Sequence, residues 1–253
     1  MTRTVDVLMP LRHSRFIRGD VIAGLLRQDT ELHWYVDARA DLELSPEALD
    51  RLGDVSSGPF WHNHMHYMAK ILAKRNRLRH LGESEFVYLA DADVILPEMP
   101  VLPGMLEAFA RFPVLGATGV IYAVDWPHVR GHTATGSMLL RRQDLEFVGE
   151  LRGAPCECSF IRNRLLELGK RTIPLTRVHA HQWKRTLLDG DRPEYESEEG
   201  ACPLCGAARN MPDEHMVDIH CQLSADGQLD IAYLRDLLRQ HGERFRLFPS
   251  HGD

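Results

Sequence analysis

Residues 86–96 read Phe86-Val87-Tyr88-Leu89-Ala90-Asp91-Ala92-Asp93-Val94-Ile95-Leu96. The apolar and aromatic run over 86–89 predicts a short strand that is buried on both faces. Two carboxylates, Asp91 and Asp93, follow this run directly. Because ligands bind at the carboxyl ends of the strands in an open α/β sheet, these carboxylates stand where a binding site is expected. The stretch therefore predicts an α/β fold with a site at this strand end.

Asp91 and Asp93 support two interpretations. Their hard oxygens suit Mg²⁺ or Mn²⁺, and such an ion would hold a phosphate-bearing substrate. Aspartate is also a common turn residue, so the alternative is a pair that only ends the strand. Two carboxylates alone do not separate the interpretations, and the rest of the chain has to decide.

The composition is that of a soluble globular protein. The 253 residues are 44% hydrophobic and 26% charged, which allows a sizeable core. The net charge of −6 gives no general attraction to nucleic acid or to an anionic membrane. We expect a cytoplasmic protein without integral membrane association, because no apolar stretch approaches the roughly 18 residues of a membrane span and no signal peptide is evident. Five cysteines, an odd number, argue against a disulfide framework.

The order of apolar patterns predicts a parallel sheet. Residues 5–9 predict a strand that Pro10 ends, helical spacing continues to Gln28, and residues 32–36 predict a second strand that ends in Asp37. Strand, helix and strand within roughly 35 residues form a βαβ unit. Further helices are predicted at 45–52, 65–81, 105–109, 144–148, 157–169 and 231–240, and further strands at 114–122, 136–142 and 172–174.

The segment 61–67 is rich in histidine. If its backbone is extended, the alternate residues His62, His64 and His66 point to one side and form a metal cluster; otherwise they are polar residues that line a site or a surface. The helix that follows is basic, and a solvated basic face is the simpler interpretation. Its charged residues are Lys70, Lys74, Arg75, Arg77 and Arg79.

The composition changes near the C-terminal end. Residues 189–200 are acidic, contain Gly and Pro and lack periodicity, which predicts a linker or mobile loop. We therefore divide the chain into a main domain over 1–188, this linker, and a small subdomain over 201–253.

The small subdomain carries a zinc-like pattern. Cys202 and Cys205 lie within Cys-Pro-Leu-Cys-Gly, a turn that lets two thiolates meet one ion. Cys221 with His215, or with His220 as the alternate ligand, supplies a second pair. The pattern predicts a structural Zn²⁺ site, because four protein ligands leave no open position. The alternative is a pair of buried, reduced thiols.

Several motifs occur in order along roughly residues 4–185. They are Val7-Leu8-Met9-Pro10 with the helix that ends at Gln28, Asp37, Lys74-Arg75-Asn76, Asp91-Ala92-Asp93, Gly136-Ser137-Met138 through Gly149, and Glu157 with Arg164 and Gly169. Together they resemble a family 2 glycosyltransferase with the GT-A fold. The resemblance implies a Rossmann-like, mostly parallel sheet flanked by helices. It also implies transfer of a sugar from a nucleotide-diphosphate sugar to the hydroxyl of an acceptor.

The resemblance also assigns roles to single residues. Contacts to the nucleotide sugar would come from Pro10, Asp37, Arg75, Asp91, Asp93, Lys184 and Arg185. Asp37 would contact the base, and Asp91 would hold the ribose or a metal-bound water. Asp93, with His179 or His181, would hold Mn²⁺ or Mg²⁺ and so neutralise charge on the departing diphosphate. Lys184 or Arg185 would assist the leaving group or remain solvated.

One position departs from the family pattern. The usual catalytic base is an aspartate directly after the glutamate that opens a helix, and this chain has Cys158 there. A thiol with a reference pKa of about 8.5 is a poor general base at neutral pH. We therefore expect Glu157 to take the proton from the acceptor, which gives transfer with inversion.

Three alternatives remain open at this stage. A hydroxymethylated base in DNA is one possible acceptor, suggested by the zinc pattern and the basic helix, although the negative net charge disfavours it. Nucleotidyl transfer is a second alternative, because it also uses paired carboxylates and a metal. That function gives no role to Glu157, Arg164 and Gly169. A non-catalytic module that binds nucleotide sugars is the third alternative, because of Cys158.

Overall fold

The computed structural model describes residues 3–10, 19–37, 59–92, 94–96, 99–122, 133, 135–152, 157–182 and 232. The predicted helix at 45–52, the linker at 189–200 and nearly all of the small subdomain lie outside these residues. The predicted division into domains therefore stays a prediction.

The described residues form seven strands and five helices in α/β order. The strands are β1 (Thr4–Pro10), β2 (Glu31–Asp37), β3 (Phe86–Ala90), β4 (Val94–Ile95), β5 (Leu115–Tyr122), β6 (Ser137–Arg141) and β7 (Arg171–Gln182). The helices are α1 (Gly19–Leu26), α2 (Pro59–Leu78), α3 (Val101–Arg111), α4 (Arg142–Val148) and α5 (Glu157–Glu167). Among these helices, none is both long enough and apolar enough to cross a bilayer.

These strands form one sheet in the order β2-β1-β3-β6-β5-β7-β4. β1 pairs in parallel with β2 and β3, and β5 pairs in parallel with β7. β6 is antiparallel to β3 and β5, and β4 is antiparallel to β7. Five of the described strands therefore run in one direction and two oppose them. This arrangement confirms the predicted α/β fold with a mostly parallel sheet.

Helices cover both faces of the sheet. Phe86, Tyr88 and Ala90 of β3 pack in one core with residues of α1 and α3. Val87 and Leu89 point to the other face and pack with residues of α2, α4 and α5. Every residue of β3 is 2% exposed or less, which confirms the strand that was predicted to be buried on both faces.

Three elements are longer than predicted. α2 begins earlier, at Pro59, and α3 contains Pro103 in its first turn. Proline is compatible with both positions because the first N–H groups of a helix have no intrahelical acceptor. β7 continues past Pro174 as far as Gln182 because it pairs with β5 on one side and with β4 on the other.

The histidine-rich segment is helical. Residues 62–66 belong to α2. The metal-cluster hypothesis required an extended backbone in this segment, so the hypothesis is wrong. Residues two apart in a helix lie about 200° apart around its axis, so three alternate residues do not share one face.

Two positions in these elements require glycine. A Cβ atom at Gly119 of β5 would lie 1.9 Å from the carbonyl oxygen of Ser137 in β6, so only glycine permits this close approach. Gly169 ends α5 with a φ of +70°, a left-handed conformation that glycine adopts without strain.

Gln28 joins α1 to α3. Its buried side-chain Nε2 donates a hydrogen bond to the carbonyl of Gly24 at 3.0 Å. Its Oε1 accepts hydrogen bonds from the backbone N–H groups of Val101 at 2.7 Å and Leu102 at 3.2 Å. Gln28 therefore satisfies donors that the first turn of α3 leaves without an intrahelical partner.

We expect Gln28→Ala to lower the free energy of unfolding by about 2–4 kcal/mol, because two buried N–H groups would lose their acceptor. Chemical denaturation measures this change. Gln28→Glu keeps the acceptor for α3 but loses the donor to Gly24 and buries a charge, so it should also lower the stability. Equal stability of Gln28→Ala and the wild type would contradict the proposed link between the helices.

Candidate active site

The predicted donor-binding residues that the structure describes meet at one edge of the sheet. Pro10 pairs with Asp37 in the ladder between β1 and β2, and the register between β1 and β3 brings Asp91 to the same level. The N–H of Asp91 donates to the carbonyl of Gly136 at 2.9 Å, so the start of β6 also reaches this edge. We call this side of the sheet the carboxyl edge.

Arg75 of α2 lies at the centre of a cluster at the carboxyl edge. Its side chain is only 1% exposed, and its Nη2 lies 2.5 Å from Oδ1 of Asp91. Its Nε lies 3.0 Å from Oε1 of Glu157, and its Nη1 donates to the carbonyl of Thr135 at 3.2 Å. One guanidinium therefore contacts both the carboxylate after β3 and the carboxylate that opens α5, and its positive charge compensates both.

Glu157 is 3% exposed, at the first position of α5. Its Oε1 accepts a hydrogen bond from the hydroxyl of Thr135 at 2.6 Å, in addition to the ion pair with Arg75. Its Oε2 is buried and has no hydrogen-bond partner among the residues that the structure describes. Within this part of the chain, Oε2 is therefore the oxygen of Glu157 that no hydrogen bond occupies.

Asp37, the acid predicted to contact the base, forms an ion pair with Arg77. Oδ2 of Asp37 accepts hydrogen bonds from Nε of Arg77 at 2.7 Å and from Nη2 at 2.5 Å. The side chain of Asp37 is 8% exposed and that of Arg77 is 35% exposed. A base bound at Asp37 would therefore also meet a guanidinium, a contact that the sequence did not predict.

The basic residues of α2 do not form the predicted solvated face. Lys74 and Arg75 are buried, and Arg77 is paired with Asp37. The prediction is wrong for these residues because they lie on the side of the helix that packs against the sheet and the carboxyl edge.

β7 approaches the chain segment that follows β3. His181 pairs with Ile95 of β4, so its backbone lies across from the chain two residues after Asp93, and His179 pairs with β5. Within the described part of the chain, no three side chains of His, Cys, Asp or Glu group as metal ligands. The described part of the chain does not include Asp93, Lys184, Arg185 or the side chains of His179 and His181. Their predicted roles stay predictions.

The predicted zinc ligands also lie outside the described residues. They are Cys202, Cys205, His215, His220 and Cys221. The zinc site therefore stays a prediction.

Cys158 is disulfide-bonded, and its partner lies outside the described residues. The odd number of cysteines argued against a disulfide framework, and it still allows two of the five to pair. A disulfide sulfur does not accept a proton as a base. Glu157 is therefore the acid–base candidate of this helix turn.

A pair of buried hydroxyls lies beneath the carboxyl edge. The hydroxyl of Tyr88 lies 2.6 Å from Oγ of Ser137. Burial raises the pKa of the Tyr88 phenol, the charge of Asp91 acts in the same direction, and the hydrogen bond with Ser137 opposes them. The phenol therefore stays protonated at neutral pH and is not a base for the site.

Solved structures identify the fold as GT-A. The mannosyltransferase PcManGT from Pyrobaculum calidifontis, solved with GDP-Man and Mn²⁺, is similar with a TM-score of 0.51 and 18% sequence identity. The match covers 72% of this chain and 57% of the mannosyltransferase, so this chain spans less than two thirds of that protein. The likeness, at this identity, concerns the fold. No protein-family model and no curated protein sequence matches the chain.

Two further solved structures are more distantly similar. Glucosyl-3-phosphoglycerate synthase from Mycobacterium tuberculosis, solved with Mn²⁺ and UDP-Glc, has a TM-score of 0.46 and 15% identity, over 73% of each chain. Residues 1–349 of TarS from S. aureus have a TM-score of 0.45 and 16% identity, over 72% of this chain and 60% of that one.

Proposed function

We propose that this chain is a metal-dependent, inverting glycosyltransferase that uses a nucleotide-diphosphate sugar. The observation that carries the proposal is the Arg75 cluster. On a GT-A sheet, it joins Asp91 at the carboxyl edge to Glu157, whose Oε2 is buried and without a hydrogen-bond partner among the described residues. The similar mannosyltransferase was solved with GDP-Man and Mn²⁺, which supports the same class of donor and ion here.

The proposed ligands of Mn²⁺ or Mg²⁺ are Asp93 and either His179 or His181. The pairing of His181 with Ile95 supports this set, because it brings the backbone of β7 alongside the chain that follows Asp93. Carboxylate and imidazole are suitable ligands for Mn²⁺. When bound, the ion would neutralise the charge that builds up on the departing diphosphate.

In the proposed reaction, an acceptor oxygen forms a bond to the anomeric carbon of the sugar. The bond from that carbon to the diphosphate oxygen breaks, and its electron pair leaves with the nucleoside diphosphate. The acceptor proton passes to Oε2 of Glu157. Attack from the side opposite the leaving group inverts the configuration of the anomeric carbon.

The remaining residues of the carboxyl edge are proposed to hold the donor. Asp37, together with Arg77, would contact the base, while Pro10 lies beside them on β1. Asp91 would accept a hydrogen bond from the ribose. Lys184 or Arg185 would assist the leaving group.

The proposal does not extend to DNA as the acceptor. That alternative depended partly on a basic helix, and Lys74 and Arg75 are buried while Arg77 is paired with Asp37. Failure of the protein to retain DNA at low salt is the outcome we expect, because phosphate contacts dominate such binding.

A donor screen tests the proposal. We expect GDP-mannose, UDP-glucose or a CDP- or TDP-sugar to raise the melting temperature only with Mn²⁺, because a ligand of the folded state stabilises it. The same donor should release nucleoside diphosphate slowly with water as the acceptor. With a small alcohol as the acceptor, NMR of the glycoside formed reports the configuration of the anomeric carbon. The absence of any Mn²⁺-dependent shift or release would overturn the proposal, and a glycoside with retained configuration would overturn inversion.

A further inference from the structure

We infer that Arg75 is a positioning residue that couples Asp91 to Glu157, rather than a residue that touches the nucleotide sugar. The inference rests on the proposed function and goes beyond it. The sequence resemblance assigns Arg75 to the donor, whereas the contacts of its guanidinium in the structure connect two carboxylates of the protein.

Burial is the first argument for this role. Arg75 is among the largest fully buried side chains of the described residues. A buried guanidinium needs charge compensation, and Asp91 and Glu157 supply it at 2.5 and 3.0 Å. The charge of Arg75 is therefore already compensated within the protein.

The shape of the guanidinium is the second argument. It is a planar, rigid group, so two carboxylates that contact different nitrogens of it are held at a set separation. Asp91 follows β3, whereas Glu157 opens α5, and the two residues belong to different elements. Arg75 therefore fixes the donor side of the site relative to the proposed base. A lysine ammonium is a compact charge and does not impose this geometry.

Thr135 completes the arrangement. Its carbonyl accepts a hydrogen bond from Nη1 of Arg75, and its hydroxyl donates to Oε1 of Glu157. Both contacts to Glu157 therefore involve the same oxygen, Oε1. Its Oε2 makes no hydrogen bond within the described residues, and the carboxyl group is held by Arg75 and Thr135 together.

A second ion pair, with a fully buried carboxylate, provides a control. Arg142 and Asp6 lie 2.5 Å apart, the same separation as Arg75 and Asp91. Asp6 is fully buried and also accepts hydrogen bonds from the N–H and hydroxyl of Ser84. This pair lies at the start of β1 and β3, opposite the carboxyl edge. Arg142→Lys therefore disturbs a comparable ion pair without touching the proposed site.

The test compares Arg75→Lys, Arg142→Lys, Glu157→Gln and the double variant Arg75→Lys/Glu157→Gln. The probe is the donor found in the screen, with Mn²⁺ and with water as the acceptor. We expect Arg75→Lys to lower kcat for nucleoside diphosphate release about 10²-fold, because small misplacements of reacting groups have effects of this size. Calorimetry should show a much smaller loss of nucleoside diphosphate affinity. Arg142→Lys should lower the melting temperature to a similar extent and leave kcat unchanged.

The double variant separates positioning from a general structural effect. If Arg75 acts through Glu157, the double variant should be no slower than Glu157→Gln alone, whereas independent effects would multiply. Thr135→Val provides a second route if Arg75→Lys does not fold, since it removes only the hydroxyl that orients Glu157. We expect it to lower kcat about tenfold.

Four results would overturn the inference. If Arg75→Lys has an unchanged kcat, Arg75 does not position Glu157; the same holds for Thr135→Val where that variant is used instead. If Arg75→Lys loses nucleotide affinity but keeps its kcat, Arg75 contacts the nucleotide. If the effects of the two substitutions multiply in the double variant, Arg75 does not act through Glu157. A wild-type protein that neither binds nor cleaves any donor would overturn the proposed function itself, and the inference with it.

Discussion

Glu157→Gln is expected to lower the rate of nucleoside diphosphate release about 10²- to 10⁴-fold, the usual contribution of a general base. Glutamine keeps the size of the side chain and retains an oxygen for the hydroxyl of Thr135. Its neutral amide does not accept the acceptor proton. Arg75 keeps Asp91 as a counter-charge, so the cluster retains one of its two ion pairs. The rate is measured with the donor from the screen, under saturating Mn²⁺.

Asp144→Asn is the matched control for this variant. Asp144 is a buried carboxylate on α4 that pairs with Lys170, just before the start of β7 and away from the carboxyl edge. We expect the control to lose stability and to keep its rate. If Glu157→Gln keeps the wild-type rate, Glu157 is not the base. The base would then lie outside the described residues, since Cys158 is disulfide-bonded.

Local pattern was sufficient to predict the centre of the sheet. Each residue of β3 is apolar or aromatic, and a strand between β1 and β6 buries both of its faces, so composition and position agree. The parallel pairing of β1 with β2 and β3 then follows from the βαβ order. Because parallel strands end at the same edge, the meeting of Asp37, Pro10 and Asp91 could also be predicted.

Several motif residues proved to be part of the scaffold. Gln28 satisfies the first turn of α3, and Asn76 exchanges two hydrogen bonds with the backbone of Leu151, at 2.7 and 2.9 Å. Arg164 lies 4.8 Å from the ring centre of Phe147 and thereby ties α5 to α4. A motif shows that a residue type is needed at a position, but not whether it serves packing or chemistry.

The contacts within the site could not be predicted from the sequence. Arg75 and Glu157 are far apart along the chain, and their pairing depends on how α5 packs against the sheet. Thr135 carried no recognisable signal, and Arg77 looked like one of several solvated charges. The length of β7 was missed for a similar reason: its segment lacks an apolar pattern, and its pairing with β4 and β5 determines its conformation.

Asp91→Ala is expected to lower kcat/KM for nucleoside diphosphate release about 10³-fold. Loss of a hydrogen bond from a charged group to the donor accounts for about tenfold or more. Loss of the contact that holds Arg75 misplaces Glu157 and accounts for about a further 10²-fold. The two losses multiply because the first concerns binding of the donor and the second concerns the chemical step. Steady-state kinetics and calorimetry with Mn²⁺ measure them separately.

The same variant decides between the two interpretations of the carboxylates after β3. If Asp91 only ends the strand, Asp91→Ala should lower the melting temperature and leave Mn²⁺-dependent nucleotide affinity unchanged, as Asp144→Asn should. If Asp91 belongs to the donor site, affinity should fall even where the protein remains fully folded. The side chain of Asp91 is 29% exposed, whereas that of its partner Arg75 is 1% exposed. Asp91 is therefore the member of the ion pair that a ligand can reach, and this asymmetry favours the second outcome.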